Sequence, residues 1–387
     1  MPGLPLLFLV AFLVGADEFL LGPILTPIGA DLAVAPERVA LFVAAYSLPL
    51  AILAPIFGAL SDRYGRLAVL VPAAAVFGCA SIATSLVGSF EAGLASRIVT
   101  GAASGGMLSI AFAFAADRGG ERAARGIAVV TSGLTLGIIV SPGIGALAAE
   151  TLSWRAAFAG LGGLALLVAV AAAVGLRAED ASRRTVSAEA AGPLFVPGAA
   201  GSLTAMALGL GGAVGIFALV GERLRDLYGA ETAAIGLVYA GFGISTLLGN
   251  LAMPWAVGRF GSGRRAMRIA LVAVLAAIVV TYAMDGIGLA LAGLALLAWA
   301  VLGGLGAPAL QSHIAGLSPA RRGTLMALAG SALNLGVAAS SALAAFVYGH
   351  AAHWVAMLGV VLLGGAILAL RPANGRAAAA DPLRSPA

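Results

Sequence analysis

Apolar runs of roughly the 20 residues that a membrane-spanning helix needs recur along almost the entire chain. Short clusters of charged, Pro-rich or Gly-rich positions break them up. Reading the runs between these breaks predicts about twelve spans, starting near Leu4, Val39, Leu67, Ala92, Gly126, Ala156, Leu194, Ala233, Ile269, Ile287, Gly323 and Trp354. Runs of this length, each long enough for one spanning helix, predict an all-α membrane protein. The longest polar interruption, "RAEDASRRTVSAEAAG", falls near the midpoint. It divides the chain into an N-terminal half (1–176), a linker (177–192), a C-terminal half (193–371) and a low-complexity tail (372–387) expected to be disordered.

Two echoes suggest that the halves are copies. "ARGIAVVTSGLTLG", ending at Gly137, returns as "RRGTLMALAGSALNLG", ending at Gly336, an offset of 199 residues. "LSDRYGR" returns as "AVGRFGSGRR", with Gly65 matched by Gly261 at an offset of 196. Internal duplication of this kind is how many secondary transporters are built.

Composition narrows the function. The chain is 61% hydrophobic and 10% charged, far from the roughly one-quarter charged residues of soluble domains, and no room is left for a soluble domain of ordinary size. All of the 22 basic residues are Arg, for a pI near 10.0, but their distribution between apolar runs argues for membrane orientation and against a nucleic-acid partner. With a cytoplasmic N-terminus, 17 arginines fall on the inner side and 4 on the outer, which predicts an even number of spans with both ends inside. A single cysteine, Cys79, can build neither a disulfide framework nor a thiol metal site. No metal-spaced cluster, phosphate loop or nucleophile motif is found, so no enzyme chemistry, metal or cofactor is expected.

Against this apolar background Asp17 and Glu18 stand side by side in the middle of the first run. A charge at mid-bilayer costs roughly 2.5 to 3.5 kcal/mol on insertion scales, so such groups face a wet cavity, pair, or take up a proton. Successive helical residues point about 100° apart, so only one of the two is expected to line a central cavity, and helical pitch alone does not choose between them. Desolvation and an adjacent carboxylate both favour the protonated form, which makes the pair a proton site that titrates jointly. Arg97, inside the fourth run, is a counter-charge for either acid, or else snorkels to the outer interface. Tyr46, Tyr239, Asn250, Trp299, Gln311 and Asn334 are polar or amphipathic positions within spans, and candidates for substrate contact or for inter-helix hydrogen bonds.

Four stretches resemble the major facilitator superfamily. "GALSDRYGRL" is similar to its signature loop, with Gly58, Asp62, Arg63, Gly65 and Arg66 in place and Leu67 where a basic residue is usual. "SRIVTG" resembles the fourth-helix motif of proton-coupled members, keeping Arg97 and Gly101 but with Thr100 for Gln. "LGIIVSPGIGA" is similar to the Gly-Pro motif of drug and proton antiporters: Gly137, Pro142 and Gly145 match, while Ser141, Ala146 and Ala128 replace glycines. "DEFLLGPILTPIGADL" resembles the first helix of the branch that exports drugs, sugars or nucleosides, with Glu18 at its acidic position.

The resemblance implies twelve transmembrane helices in two pseudo-symmetric six-helix bundles, with helices 1, 4, 7 and 10 lining the cavity. It favours Glu18 as the cavity acid, makes Asp62 the group that steadies an outward-open state at the N-terminus of the eleventh helix, and assigns Arg63 and Arg66 to neighbouring inner helix ends. Gly137, Pro142 and Gly145 are expected to bend the fifth helix, because Pro removes a backbone donor. The function implied is export of a small organic solute, drug-like, sugar or nucleoside, by alternating access in exchange for protons. The partners are then the solute, protons and the lipid bilayer, the chain is a monomer, and its place is the bacterial inner membrane. A uniporter or importer without proton antiport is the alternative. A non-transporting sensor or scaffold fits less well, since such a protein would be expected to carry a long soluble domain or interaction tail.

Overall fold

The computed structural model describes residues 3–118, 120–176, 196–318 and 321–371; the predicted linker and tail lie outside them. Among the described residues, twelve helices are long and apolar enough to cross a membrane: Gly3–Asp31, Pro36–Tyr64, Arg66–Leu86, Phe90–Ala116, Glu121–Thr151, Trp154–Gly175, Ala199–Phe217, Thr232–Phe260, Gly263–Ala283, Leu289–Gly316, Arg322–Tyr348 and Ala352–Ala369. They are numbered spans 1 to 12 below, and no strand occurs among the described residues. Span 9 begins at Gly263, ahead of the expected Ile269, because the helix continues through Arg264, Arg265 and Arg268, whose long stems let a charged head leave the apolar zone.

Helix ends follow local chemistry. Ser89, Ser153 and Ser262 each accept a hydrogen bond from a backbone N–H in the first turn of spans 4, 6 and 9, the usual serine N-cap. Gly65 and Gly261, matched in the sequence echo, both close a span with positive φ, 101° and 79°, a region that glycine enters without steric cost.

Two spans are irregular. Span 1 is helical over Gly3–Phe19, tightens to a 3₁₀ turn at Gly22–Ile24 and resumes at Leu25–Asp31; Pro23 lacks the N–H that a continuous helix would use. Span 7 passes through a π-helical stretch, Met206–Gly211, before Gly212–Phe217. A further short helix, Val220–Tyr228, follows it.

The helices form two six-helix bundles. Span 1 packs on span 5, span 2 on span 4 and span 3 on span 6; in the second bundle span 7 packs on span 11 and span 10 on spans 8 and 9. Without a hydrophobic drive between helices in lipid, such contacts depend on small residues. A Cβ added at Gly15, Gly133 or Gly137 would collide with the facing backbone between spans 1 and 5, and one at Gly211 or Gly336 with that between spans 7 and 11. The duplication shows in these contacts: Gly15 meets the carbonyl of Leu134 and Gly211 that of Leu333. The bundles join along spans 2 and 11 and along spans 5 and 8.

Burial differs between the two ends of the assembly. At the end remote from the termini, called the far end, an apolar core joins both bundles, from Ile24, Phe42 and Trp154 to Ile216, Leu224 and Tyr282, and it continues along the second bundle to Ile314, Leu325 and Leu370. Towards the termini, the first bundle has a separate core around Leu7, Phe77, Met107 and Phe114.

Gly137→Ala is expected to force spans 1 and 5 apart at a cost of about 1 to 3 kcal/mol. Gly143→Ala, six residues on with nothing within 4 Å of the added carbon, should leave stability unchanged or slightly raised. Thermal unfolding of the purified variants in detergent separates the two cases.

Candidate functional site

Asp17 and Arg97 are both fully buried. Arg97 Nη1 lies 2.8 Å from each oxygen of the carboxylate, and the guanidinium sits 4.7 Å from the ring centroid of Tyr46 and 5.5 Å from that of Phe158. Nε and Nη2 make no hydrogen bond, so these ring faces supply the remaining stabilisation, a cation–π contact that strengthens away from water. The Tyr46 hydroxyl donates to the Val14 carbonyl at 3.4 Å. The close approach depends on Gly101, where a side chain would strike the backbone of Tyr46. Arg97 therefore does not snorkel to an interface, and of the two acids it is Asp17 that it neutralises.

Glu18, one residue on, is half-buried and makes no hydrogen bond or ion pair among the described residues. It lines a cavity of about 250 Å³ between the bundles, which is the placement expected of one acid in the pair. Glu18 is the sole charged side chain in the lining; the rest is almost wholly apolar, contributed by spans 1, 5, 7, 8, 9, 10 and 11. The expectation that span 4 lines this cavity is corrected, because Arg97 is turned into the first bundle to meet Asp17. A smaller space of about 20 Å³, enough for one water, borders Glu18 on another side beside Gly22, Val43 and Tyr239.

One wall of the cavity is an aromatic cluster. Phe217 lies 4.6 Å from Tyr239, 4.0 Å from Phe242 and 5.6 Å from Trp299, centroid to centroid. Tyr239 and Trp299 thus stand where the sequence placed them, but the Tyr239 hydroxyl is taken up by structure. It donates to the Phe217 carbonyl at 2.9 Å and accepts from the Gly221 N–H at 3.3 Å. Tyr46, Asn250, Gln311 and Asn334 do not line the cavity. Tyr46 covers Arg97, and Asn334 donates to the Gly330 carbonyl within its own helix at 3.1 Å. Phe217 and Phe242 escaped the sequence reading because an apolar aromatic in an apolar span carries no local signal.

The loop between spans 2 and 3 is a compact polar knot. Asp62 pairs with Arg66, and Arg66 also donates to Ser61 at 2.7 Å and to the two oxygens of Asp117 at 3.0 and 3.4 Å. Ser61 in turn donates to the Gly58 carbonyl at 2.7 Å. Arg66 thereby ties this loop to the end of span 4, the helix-end role expected of it, through an acid that the sequence did not single out. In this arrangement Asp62, in the last turn of span 2, is paired across the Gly65 junction with Arg66 at the start of span 3 rather than at the start of span 11, and Arg63 lies over the ring of Tyr64.

Span 5 runs as one helix through Pro142. Gly137 and Gly145 seat it against span 1, facing Phe12, Ala16 and Leu20, while the Pro142 carbonyl lies where span 8 approaches at Gly236. The motif in this form is a packing seam on two sides.

Closure of the far end was not foreseen. Thr26 of span 1 contacts both carboxylate oxygens of Glu222 at 2.8 and 2.7 Å. Glu150, ending span 5, accepts from the Ala233 N–H at the start of span 8 at 2.5 Å, where a helix N-terminus favours an anion. Gly22 lies directly against the Tyr239 ring. Glu222 is buried, and burial pushes its carboxyl above the ordinary range while the Thr26 bond and Arg225 act the other way. A polar group just past an apolar span, in "VGERLRDLY", was the signal available for it. Among the described residues no cluster of three His, Cys, Asp or Glu side chains is placed to hold a metal.

Comparison with known proteins agrees with this architecture. The family described as Major Facilitator Superfamily matches residues 7–221. An uncharacterised MFS-type transporter of Bacillus subtilis, YbcL, is 22% identical over 92% of each chain. A chloramphenicol resistance protein of Streptomyces lividans is 29% identical over 47% of this chain and 46% of its own. Among solved structures, a bacterial homolog of the human lysosomal transporter Spinster, inward-facing and unoccupied, superposes with a TM-score of 0.71 at 17% identity over 95% and 96% of the two chains.

Removing one partner of a buried ion pair strands the other, at a cost of about 3 to 5 kcal/mol. Asp17→Asn should therefore lower thermal stability sharply, and the double change Asp17→Asn with Arg97→Leu should recover most of the loss. An unchanged melting temperature in the single variant would mean that the guanidinium finds another partner.

Proposed function

Since the chain belongs to the major facilitator superfamily, we propose that this multi-pass membrane transporter exports a lipophilic, aromatic or weakly cationic small solute in exchange for protons. The observation that carries the reading is the division of labour between two adjacent acids. Asp17 is neutralised by Arg97, whereas Glu18 faces the cavity without a cation partner. A cavity carboxylate of this kind takes up a proton or attracts a cation, and the two occupants compete for one charge. That competition is the thermodynamic basis of exchange, because each ligand lowers the affinity for the other by the same factor.

The lining favours drug-like solutes over sugars and nucleosides, the other classes considered. A sugar needs many hydrogen-bonding partners on desolvation, and the polar groups here are few. The Tyr239 hydroxyl is engaged by backbone, and Thr246 donates to the Phe242 carbonyl at 2.9 Å. Phe217, Phe242 and Trp299 offer ring faces, which suit aromatic and cationic groups. The partial likeness to a chloramphenicol resistance protein points the same way.

On this reading the protein sits in a bacterial inner membrane with its termini in the cytoplasm, an orientation the arginine bias supports, and closure at the far end corresponds to an inward-facing form. Alternating access then consists of parting Thr26 from Glu222 and Glu150 from span 8 while the termini end closes. The proton gradient is the energy source, with no cofactor.

In proteoliposomes with an imposed pH step, Glu18→Gln is expected to reduce gradient-driven flux at least about 100-fold while a lipophilic cation still binds within about tenfold of the parent. Gradient-driven pumping by that variant at the parental rate would refute exchange at Glu18, and flux insensitive to the pH step in the parent would favour a uniporter.

A further inference from the structure

The contact that shuts the far end has an unusual stoichiometry of protons. Thr26 Oγ1 stands 2.8 Å from Oε1 and 2.7 Å from Oε2 of Glu222, both full hydrogen-bond lengths. A threonine hydroxyl has one proton to give. Opposite an ionised carboxylate it can serve one oxygen well, leaving its lone pairs against the other. Opposite a carboxylic acid both contacts become hydrogen bonds, the hydroxyl donating to the carbonyl oxygen and accepting from the acid O–H.

The surroundings favour the second arrangement. Glu222 is 5% exposed. The closest cation, Arg225 one turn on, stands 3.8 Å away, beyond hydrogen-bond length, and turns its other terminal nitrogen to Thr232 at 3.2 Å. Arg223 is committed to Asp285 at 2.7 Å. Glu37 from the start of span 2 and Asp226 on the same short helix add like charge, and Asp226 accepts from Tyr348 at the end of span 11. Asp31 on span 1 is occupied by Arg155 and Trp154, and the phenols of Tyr239 and Tyr348 also face Glu222. Burial, the largest influence on Glu222, favours its neutral form.

We infer that Glu222 is a second proton-binding site, remote from Glu18, whose neutral form latches the two bundles together at the far end and whose ionised form releases them. The proton comes from water at the far side while the bundles are apart, is held on the carboxyl and donated to Thr26 Oγ1, and returns to water on opening. A group with its proton affinity raised in the closed form favours closure at low pH, and that preference is lost as pH rises through its closed-state value, above the ordinary 4.5 of a glutamate. The inference rests on alternating access as read above, but not on exchange at Glu18.

Spin labels at Leu152→Cys and Leu289→Cys, exposed far-end positions on opposite bundles, in a Cys79→Ala background report the closure as a distance, without substrate or flux. In the parent the ratio of short to long distances should fall by up to about tenfold per pH unit as pH rises from the ordinary glutamate range towards the raised closed-state value, and level off above it, as one linked proton requires. Glu222→Gln, whose amide can both donate and accept, should hold the short distance at every pH; Thr26→Val should lower the share of the short distance at low pH and Thr26→Ser restore it. A parental pH step persisting in Glu222→Gln, a parental share of the short distance at low pH in Thr26→Val, or a long distance dominating in Glu222→Gln, would overturn the latch. Should Glu222→Gln fail to fold, the two Thr26 variants decide alone. Glu18→Gln separates the two sites: loss of exchange with the far-end pH step intact is the expected outcome, whereas loss of the step in that variant assigns it to Glu18 and overturns the latch.

Discussion

A guanidinium shut between helices has to be neutralised where it lies, and Asp17 meets Arg97 with no water-exposed surface on either side chain. An uncompensated charge there would cost a large share of a fold's marginal stability. The pair consequently fixes more than its own energy: it sets the rotation of span 1 about its axis relative to span 4. With that rotation fixed, the 100° step of an α-helix leaves Glu18 no direction but the space between the bundles, where it borders both cavities. The glycines of spans 1 and 5 act on the same placement by setting distance rather than angle, since backbone meets backbone at Gly15, Gly133 and Gly137.

Closure and opening are also built unequally into the two ends. One apolar core spans both bundles at the far end, and polar links at Thr26 and Glu150 sit upon it. Towards the termini the first bundle keeps a core of its own, and the loop residues Asp62, Arg66 and Asp117 satisfy one another inside that bundle. Contacts at the far end are thus mainly shared between the bundles, whereas the polar groups at the other end find their partners within the first bundle.

Much of this could be read from the chain alone, for identifiable reasons. Span number and order follow from bilayer thickness, which imposes itself on any sequence, and the duplicated glycines reappear as matched backbone contacts because offset is preserved through a shared architecture. Helical pitch does not choose between Asp17 and Glu18, the resemblance favours Glu18 for the cavity, and in the structure Arg97 lies against Asp17 while Glu18 borders the cavity. Asn250, Gln311 and Asn334 lie outside the cavity; for Asn334 the side-chain amide is met within its own helix, by the Gly330 carbonyl. Phe217 and Phe242 were invisible for the converse reason. Thr26 and Glu222 lie 196 positions apart, and nothing local to either announces the other.

The irregular turns of spans 1 and 7 bear on how precisely the far end must be machined. The segment carrying Thr26 follows a 3₁₀ turn at Gly22–Ile24, and the helix carrying Glu222 lies beyond the π-helical stretch Met206–Gly211. Each is separated from the main body of its bundle by a place where the regular ladder of backbone hydrogen bonds is interrupted. Small errors in the angle between bundles can be absorbed in those turns instead of being transmitted to the carboxyl and hydroxyl, so the mating surfaces have slack, and a lipid environment of slightly different thickness need not misalign them.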